Sequence, residues 1–146
     1  MSWPEAVERW KKAYGCVSLA PVVEELLTVT LAALNVDHAD LRQFYRAANG
    51  LSLEWFTVLP IEDPRDIKRT WDGLNRANDP TRTKHLGGDL EMLQRFLVFA
   101  KLDASNCAAL DRGDGSIWYQ EHGEIHQTDL PLEDFIETTL KEVTEL

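Results

Sequence analysis

Residues 96–128 read FLVFAKLDASNCAALDRGDGSIWYQEHGEIHQT, and they are the most informative stretch of the sequence about its fold. It contains four short apolar or alternating segments, which predict β-strands at 96–100, 107–111, 116–120 and 124–128. Two of the links between them, residues 111–115 and 121–123, combine acidic residues with glycine, as tight hairpin turns do. The stretch therefore predicts an antiparallel meander.

Apolar residues three and four positions apart predict helices on both sides of this meander. The predicted helices cover residues 3–14, 21–34, 38–48, 64–74 and 131–144, and a further strand is predicted at 55–59. Helices precede the sheet and one helix closes the chain, an order that is typical of the α+β class. We expect a single domain over residues 1–146, in which the N-terminal helices and a C-terminal helix cover one face of an antiparallel sheet.

The composition is that of one folded domain with a substantial core. The chain has 146 residues, of which 44% are apolar. At this length folding buries roughly 70% of the surface of the unfolded chain. Four of the five tryptophans fall on predicted inward stripes or strands and are expected in the core: Trp10, Trp55, Trp71 and Trp118.

Two stretches of the sequence indicate where in the cell the protein acts: the first five residues and the most apolar segment. Residues 1–5 lack the basic and apolar pattern of a secretory signal. The apolar stretch 19–34 is interrupted by Glu24 and Glu25, so it falls short of the ~20 apolar residues of a membrane helix. We therefore expect a cytoplasmic protein that does not enter a membrane.

Motifs for catalysis or metal binding are missing from the sequence. His122 and His126 are four residues apart, a spacing that binds zinc on a helix, but Gly123 predicts a hairpin turn between them. Cys16 and Cys107 lie far apart and outside any CxxC pattern, which predicts two buried thiols. There is no nucleophile elbow and no phosphate-binding loop. We expect no metal, no cofactor and no enzymatic activity.

The charge is acidic and unevenly distributed. The chain carries 15 Lys and Arg against 25 Asp and Glu, a net charge of −10, and this excludes a direct nucleic-acid binder, which needs cations to displace phosphate counterions. Residues 101–146 hold three basic residues against 11 acidic ones, a net −8. Two interpretations stay open: a face that keeps the protein dissolved, or an anionic face that steers a basic partner.

The order of several short motifs resembles the SUKH superfamily, the Smi/Knr-like domains. A helix ends at Asn49-Gly50 and a strand at Leu59-Pro60. The later motifs are FLVFA at 96–100, ALD at 109–111, DGSIW at 114–118 and LEDF at 132–135, so that the resemblance covers roughly residues 20–143. It implies an α+β domain that in bacteria acts as an immunity protein, binding and neutralising a toxin, often a nuclease. Eukaryotic relatives act in cell-wall signalling or as protein-interaction modules.

Charge and resemblance together lead to one hypothesis and one alternative. The hypothesis is a non-enzymatic protein that occludes a basic toxin, and it acts as a monomer or a weak homodimer. Its expected contacts lie on turns and strand ends: Asp111, Asp114, Glu121, Glu124 and Asp129. The alternative is a scaffold or signalling adaptor of the same fold with no toxin partner, which binds through an apolar groove between residues 78–89 and Trp71.

Overall fold

The predicted meander is the centre of the molecule, described over residues 2–146 by a computed structural model. Within these residues seven antiparallel strands form one sheet in which each strand pairs with the next in the chain. The strands are β1 (Val17–Ser18), β2 (Leu51–Leu53), β3 (Phe56–Val58), β4 (Phe96–Lys101), β5 (Cys107–Asp111), β6 (Ile117–Glu121) and β7 (Glu124–Thr128). The α+β prediction is confirmed.

The helices precede, interrupt and follow the sheet. They are α1 (Trp3–Tyr14), α2 (Glu24–Ala33), α3 (Ala39–Ala47), α4 (Ile67–Thr70), α5 (Leu74–Ala77), α6 (Leu90–Arg95) and α7 (Leu132–Thr144), with 3-10 turns at Pro64–Asp66 and His85–Gly88. Ser2 caps α1 by accepting a hydrogen bond from the Glu5 N–H at 3.3 Å, and Gly15 ends this helix with a φ of 75°. The first helix therefore has the predicted bounds.

The helices α1, α3 and α7 pack together as one layer against the sheet. α1 packs on α3 and on α7, and α7 reaches β3. The rings of Trp3 and Phe44 meet edge to face at 6.0 Å, and those of Phe99 on β4 and Phe135 on α7 do the same. The N-terminal and C-terminal helices thus share one core with the sheet, as the hydrophobic pattern predicts.

The two central strands are covered on both faces. Every residue of β5 is buried, as are all residues of β4 except its last. Because successive strand side chains point to opposite faces, burial at every position requires cover on both sides. Besides α7, the short helices α5 and α6 pack on β4 and contribute to this cover.

Two of the tryptophans expected in the core are exposed. Trp55 is 56% exposed in the turn between β2 and β3, and Trp71 is 49% exposed at the end of α4. The Arg76 guanidinium lies 3.9 Å from the centre of the Trp71 ring, so a cation rather than the core covers it. Trp10 is fully buried as expected, and Trp118 is half-buried on β6.

Candidate functional site

The turn between β5 and β6 contains the first two predicted contact residues, and Asp111 is one of its structural supports. The Asp111 side chain is only 11% exposed. Its Oδ2 accepts a hydrogen bond from the Arg95 Nε at 3.0 Å, and its Oδ1 accepts one from the Gly113 N–H at 2.7 Å. Both carboxylate oxygens are therefore engaged in holding the turn.

Arg112 connects the same turn to the C-terminal ends of α2 and α6. Its guanidinium donates hydrogen bonds to the carbonyl oxygens of Leu34 at 3.1 Å, Leu93 at 2.5 Å and Phe96 at 2.8 Å. Leu34 follows the last residue of α2 and Leu93 lies in the last turn of α6, where carbonyls have no partner within the helix. One cation therefore ties the ends of two helices to the start of β4. No sequence motif marked this role.

His38 connects α3 to the other side of the turn. Its Nδ1 accepts a hydrogen bond from the Leu41 N–H at 3.1 Å and so caps α3. Because Nδ1 is an acceptor, Nε2 carries the proton and donates it to the Gly115 carbonyl, 3.1 Å away. The β5–β6 turn is thus held at both ends.

Asp114 is the exposed acid of this turn. Its Oδ1 accepts hydrogen bonds from the Ser116 hydroxyl at 2.6 Å and the Ser116 N–H at 2.9 Å. These two bonds, the hydroxyl first, hold the pKa of Asp114 below its ordinary value, with a smaller contribution from the positive charge of Arg95. The carboxylate stays ionised and faces solvent, although Arg95 offsets part of its charge.

The β6–β7 hairpin carries two further predicted contacts. His122 and Gly123 form its two-residue turn with φ values of 52° and 82°, the left-handed conformation that such hairpins use. Glu121 and Glu124 flank the turn, lie directly opposite each other and are exposed. Like charges paired across two strands cost stability, and here no neighbouring lysine or arginine in residues 2–146 forms an ion pair with them.

Asp129 follows β7 at the opposite end of the hairpin. Thr128 pairs with Ile117, so Asp129 lies at the same end of the sheet as Asp114. It lines an open groove of about 330 Å³ together with Asp40 and His38. The five predicted contacts therefore form two groups, and four residue steps of strand, or about 14 Å, separate the β6–β7 turn from the end that carries Asp114 and Asp129.

A long segment around the hairpin contains no cation. Between Gly113 and Leu140 the chain has seven carboxylates and no lysine or arginine. One of the seven, Glu137, accepts hydrogen bonds from Trp10 at 2.9 Å and from Arg9, and thereby links α7 to α1. We call Glu121, Glu124 and Asp129 the acidic hairpin surface, since all three lie on or directly beside the β6–β7 hairpin, are exposed and form no ion pair with a lysine or arginine among the described residues.

The groove expected by the adaptor alternative has a polar lining. Trp71 borders a cavity of about 200 Å³ whose other walls come from charged and amide side chains: Glu62, Asn75, Arg76, Asp79 and Arg82. The Asn78 side chain lies elsewhere, donating to the Val98 carbonyl at 2.8 Å and accepting from the Val98 N–H at 2.8 Å. Asn78 thus completes the edge of β4 where β3 has ended.

Outside this surface, the cysteines and the other metal-ligating side chains of residues 2–146 do not form a cluster that could bind a metal ion. Cys16 and Cys107 are free and buried, and burial raises the pKa of the Cys107 thiol to about 12. In residues 2–146 no three His, Cys, Asp or Glu side chains are arranged to hold a metal ion. Over the same residues, every helix is too short or too polar to span a bilayer.

Comparison with known proteins gives no relative. No protein-family model, no curated protein and no solved structure matches this chain.

Proposed function

We propose that this protein binds a basic protein partner through the acidic hairpin surface and occludes it, as a bacterial immunity protein neutralises a toxin. The partner class that fits is a toxin whose own site is cationic, such as a nuclease that must hold phosphate. An anionic protein surface bound to those cations excludes the nucleic acid. In this proposal the chain acts in the cytoplasm, without catalysis, as a SUKH-like domain.

The observation that carries the proposal is the charge of the hairpin, where no lysine or arginine among residues 2–146 forms an ion pair and the only cationic candidate near a carboxylate is His126, whose Nε2 lies 3.7 Å from the Glu124 Oε2. Glu121 and Glu124 stand opposite each other at its turn, and Asp129 lies at its other end. A face required only for solubility gains nothing from placing two carboxylates directly across a strand pair, where they repel each other. A cationic partner would relieve this repulsion, so part of the strain in the free protein becomes affinity in the complex.

The surrounding structure supports the same proposal because it fixes the end of the hairpin beside Asp129. The β5–β6 turn is fixed by Arg112 and by the bond from His38 to Gly115. β6 pairs on one side with β5, whose residues are all buried. A surface held in place loses little conformational entropy on binding, so more of the interaction energy appears as affinity.

The proposal is tested by growth protection. The toxin domain encoded beside this gene is expressed in a sensitive cell with the wild-type chain, with the variant E121K/E124K/D129K, or with neither. We expect the wild-type chain to restore growth and the charge-reversed variant to fail, while both accumulate to equal levels. A neighbouring gene without a toxin domain, or equal protection by the two chains, would overturn the proposal.

A further inference from the structure

The alternation of hydrogen bonds along the meander shows which backbone N–H and C=O groups of β7 are not bonded to β6. The Asp111 N–H donates to the Ser116 carbonyl at 2.9 Å. Antiparallel pairs alternate between bonded and non-bonded, so Trp118 and Gln120 also direct their backbone groups toward β5. Ile117, Tyr119 and Glu121 then direct theirs toward β7.

The partners of these residues on β7 follow from the register. Glu124, His126 and Thr128 lie opposite Glu121, Tyr119 and Ile117, so their N–H and C=O groups are used within the hairpin. The intervening residues Ile125 and Gln127 direct their N–H and C=O groups outward, away from the sheet. β7 is the last strand of the sheet, and no other strand in residues 2–146 pairs with that edge.

This edge lacks the short length, lysine, proline and bulge that often protect a terminal strand, and its only fixed charges are negative. Natural sheets shorten an edge strand or place lysine, proline or a bulge in it. The opposite edge follows this rule, since β1 has two residues. β7 instead has five residues in continuous register with β6 and contains neither lysine nor proline.

The length of the open edge is limited at both ends. The turn at His122 and Gly123 closes one end. At the other end the Leu130 N–H bonds to the Thr128 hydroxyl at 3.3 Å, and Pro131 follows, so the extended backbone stops there. The edge offers space for a strand of about five residues.

The charge around the edge determines which strand fits it. Glu124 begins β7 and Asp129 follows it, within the segment 113–140 that has no cation. A second copy of this chain would place that anionic segment against itself, which like-charge repulsion opposes. A strand with lysine or arginine side chains instead meets opposite charges at both ends of the edge.

We infer that an extended basic segment of the protein partner adds as an eighth strand along β7, bonding to the outward backbone groups of Ile125 and Gln127. This inference rests on the proposed function and adds to it the way in which the partner is held. Main-chain hydrogen bonds would supply affinity, and the flanking carboxylates would select a cationic sequence.

The test uses a capped synthetic peptide of about ten residues in which lysine and valine alternate, at low salt. Binding is followed by NMR, and the hydrogen exchange of the Ile125 and Gln127 amides is measured with and without peptide. The blocking variant is Gln127→Pro, which removes an outward N–H without removing a bond to β6. The matched control is Gln127→Ala, which removes the same side chain and keeps the N–H. A second probe, the peptide N-methylated at every second residue, needs no change in the protein.

We expect the peptide to slow exchange of both amides at least about tenfold, since the added strand would bond to them. Gln127→Pro and N-methylation should each weaken binding at least about tenfold, and Gln127→Ala by less than about twofold. Binding that leaves both amides unprotected, or that Gln127→Pro does not weaken, would overturn the strand addition and leave the acidic-surface proposal standing. No binding, or equal binding of a glutamate–valine peptide, would overturn both.

Discussion

Replacing Arg112 by methionine tests the account of how the candidate site is held in place. Methionine keeps a comparable length and apolar stem but leaves three backbone carbonyls, on Leu34, Leu93 and Phe96, without their donor. Hydrogen bonds from a charged group contribute about 1.5–3 kcal/mol each. Burial lowers the pKa of Arg112 because the charged guanidinium is partly removed from water, which costs free energy. The methionine variant does not have this cost, so the net loss of stability is smaller than the sum of the three hydrogen bonds. We therefore expect a net loss of about 3 kcal/mol in the free energy of unfolding.

Urea denaturation followed by tryptophan fluorescence measures this loss. In a domain of this size a 3 kcal/mol change lowers the melting temperature by about 6–12 °C. The control is Arg82→Met, because Arg82 is a largely exposed arginine with a single ion pair to Asp79 at 3.5 Å. Its replacement should change stability by less than about 0.5 kcal/mol. If the two variants were equally stable, the reasoning that Arg112 joins α2 and α6 to the turn would be refuted.

Two further changes test other parts of the fold. Asn49 is buried and bridges the backbone of Ile61 with bonds of 2.9 and 2.7 Å, so Asn49→Ala should cost about 2–4 kcal/mol by urea denaturation, and a loss under about 0.5 kcal/mol would contradict it. The hydrogen bond from Trp10, and then that from Arg9, lower the pKa of Glu137 below its ordinary 4.5. Because the folded pKa is the lower one, the stabilisation is complete above 4.5 and is lost as pH falls through the folded pKa. Glu137→Gln should therefore cost about 1 kcal/mol at pH 7 and almost nothing once the pH is well below the folded pKa of Glu137, whereas a pH-independent difference would contradict the assignment.

The meander could be predicted because its signals are local. Alternating residues and glycine turns act over two to five positions, and the hairpin at His122-Gly123 appears where the sequence predicts it. The helix at 38–48 was predicted for the same reason, since Leu41, Phe44 and Tyr45 recur at helical spacing, and these three residues are buried in α3.

Burial was harder to predict where a segment is apolar on all sides. In α2, for example, Val29 is 58% exposed whereas Leu27 and Leu31 are buried. A helix with apolar residues around its whole circumference has no sequence feature that selects one face. Tertiary packing makes that choice, as it does for the exposed ring of Trp71.

The supports of the candidate site depend on contacts between residues far apart in the chain. His38 meets Gly115 and Arg112 meets Leu34, separations that no local pattern encodes. The sequence therefore led to the five acidic residues as one set, whereas the fold divides them between two ends of the hairpin and engages Asp111 internally. Only the register of β6 and β7 shows which backbone groups remain open.

The central claim, that the acidic hairpin surface captures a basic partner, is tested most directly by association rates. Stopped-flow binding to the toxin domain encoded beside the gene is measured from about 0.02 to about 0.5 M salt. The variant is E121K/E124K/D129K. A control with the same change in charge reverses three exposed glutamates on other elements: Glu8, Glu25 and Glu91.

We expect wild-type association to slow steeply with added salt and the hairpin variant to associate at least about tenfold more slowly at low salt. The control should retain most of the wild-type rate, and the melting temperatures of the wild type and the hairpin variant should agree within about 3 °C. An association rate that is independent of salt, or that falls equally in the two variants, would contradict the central claim.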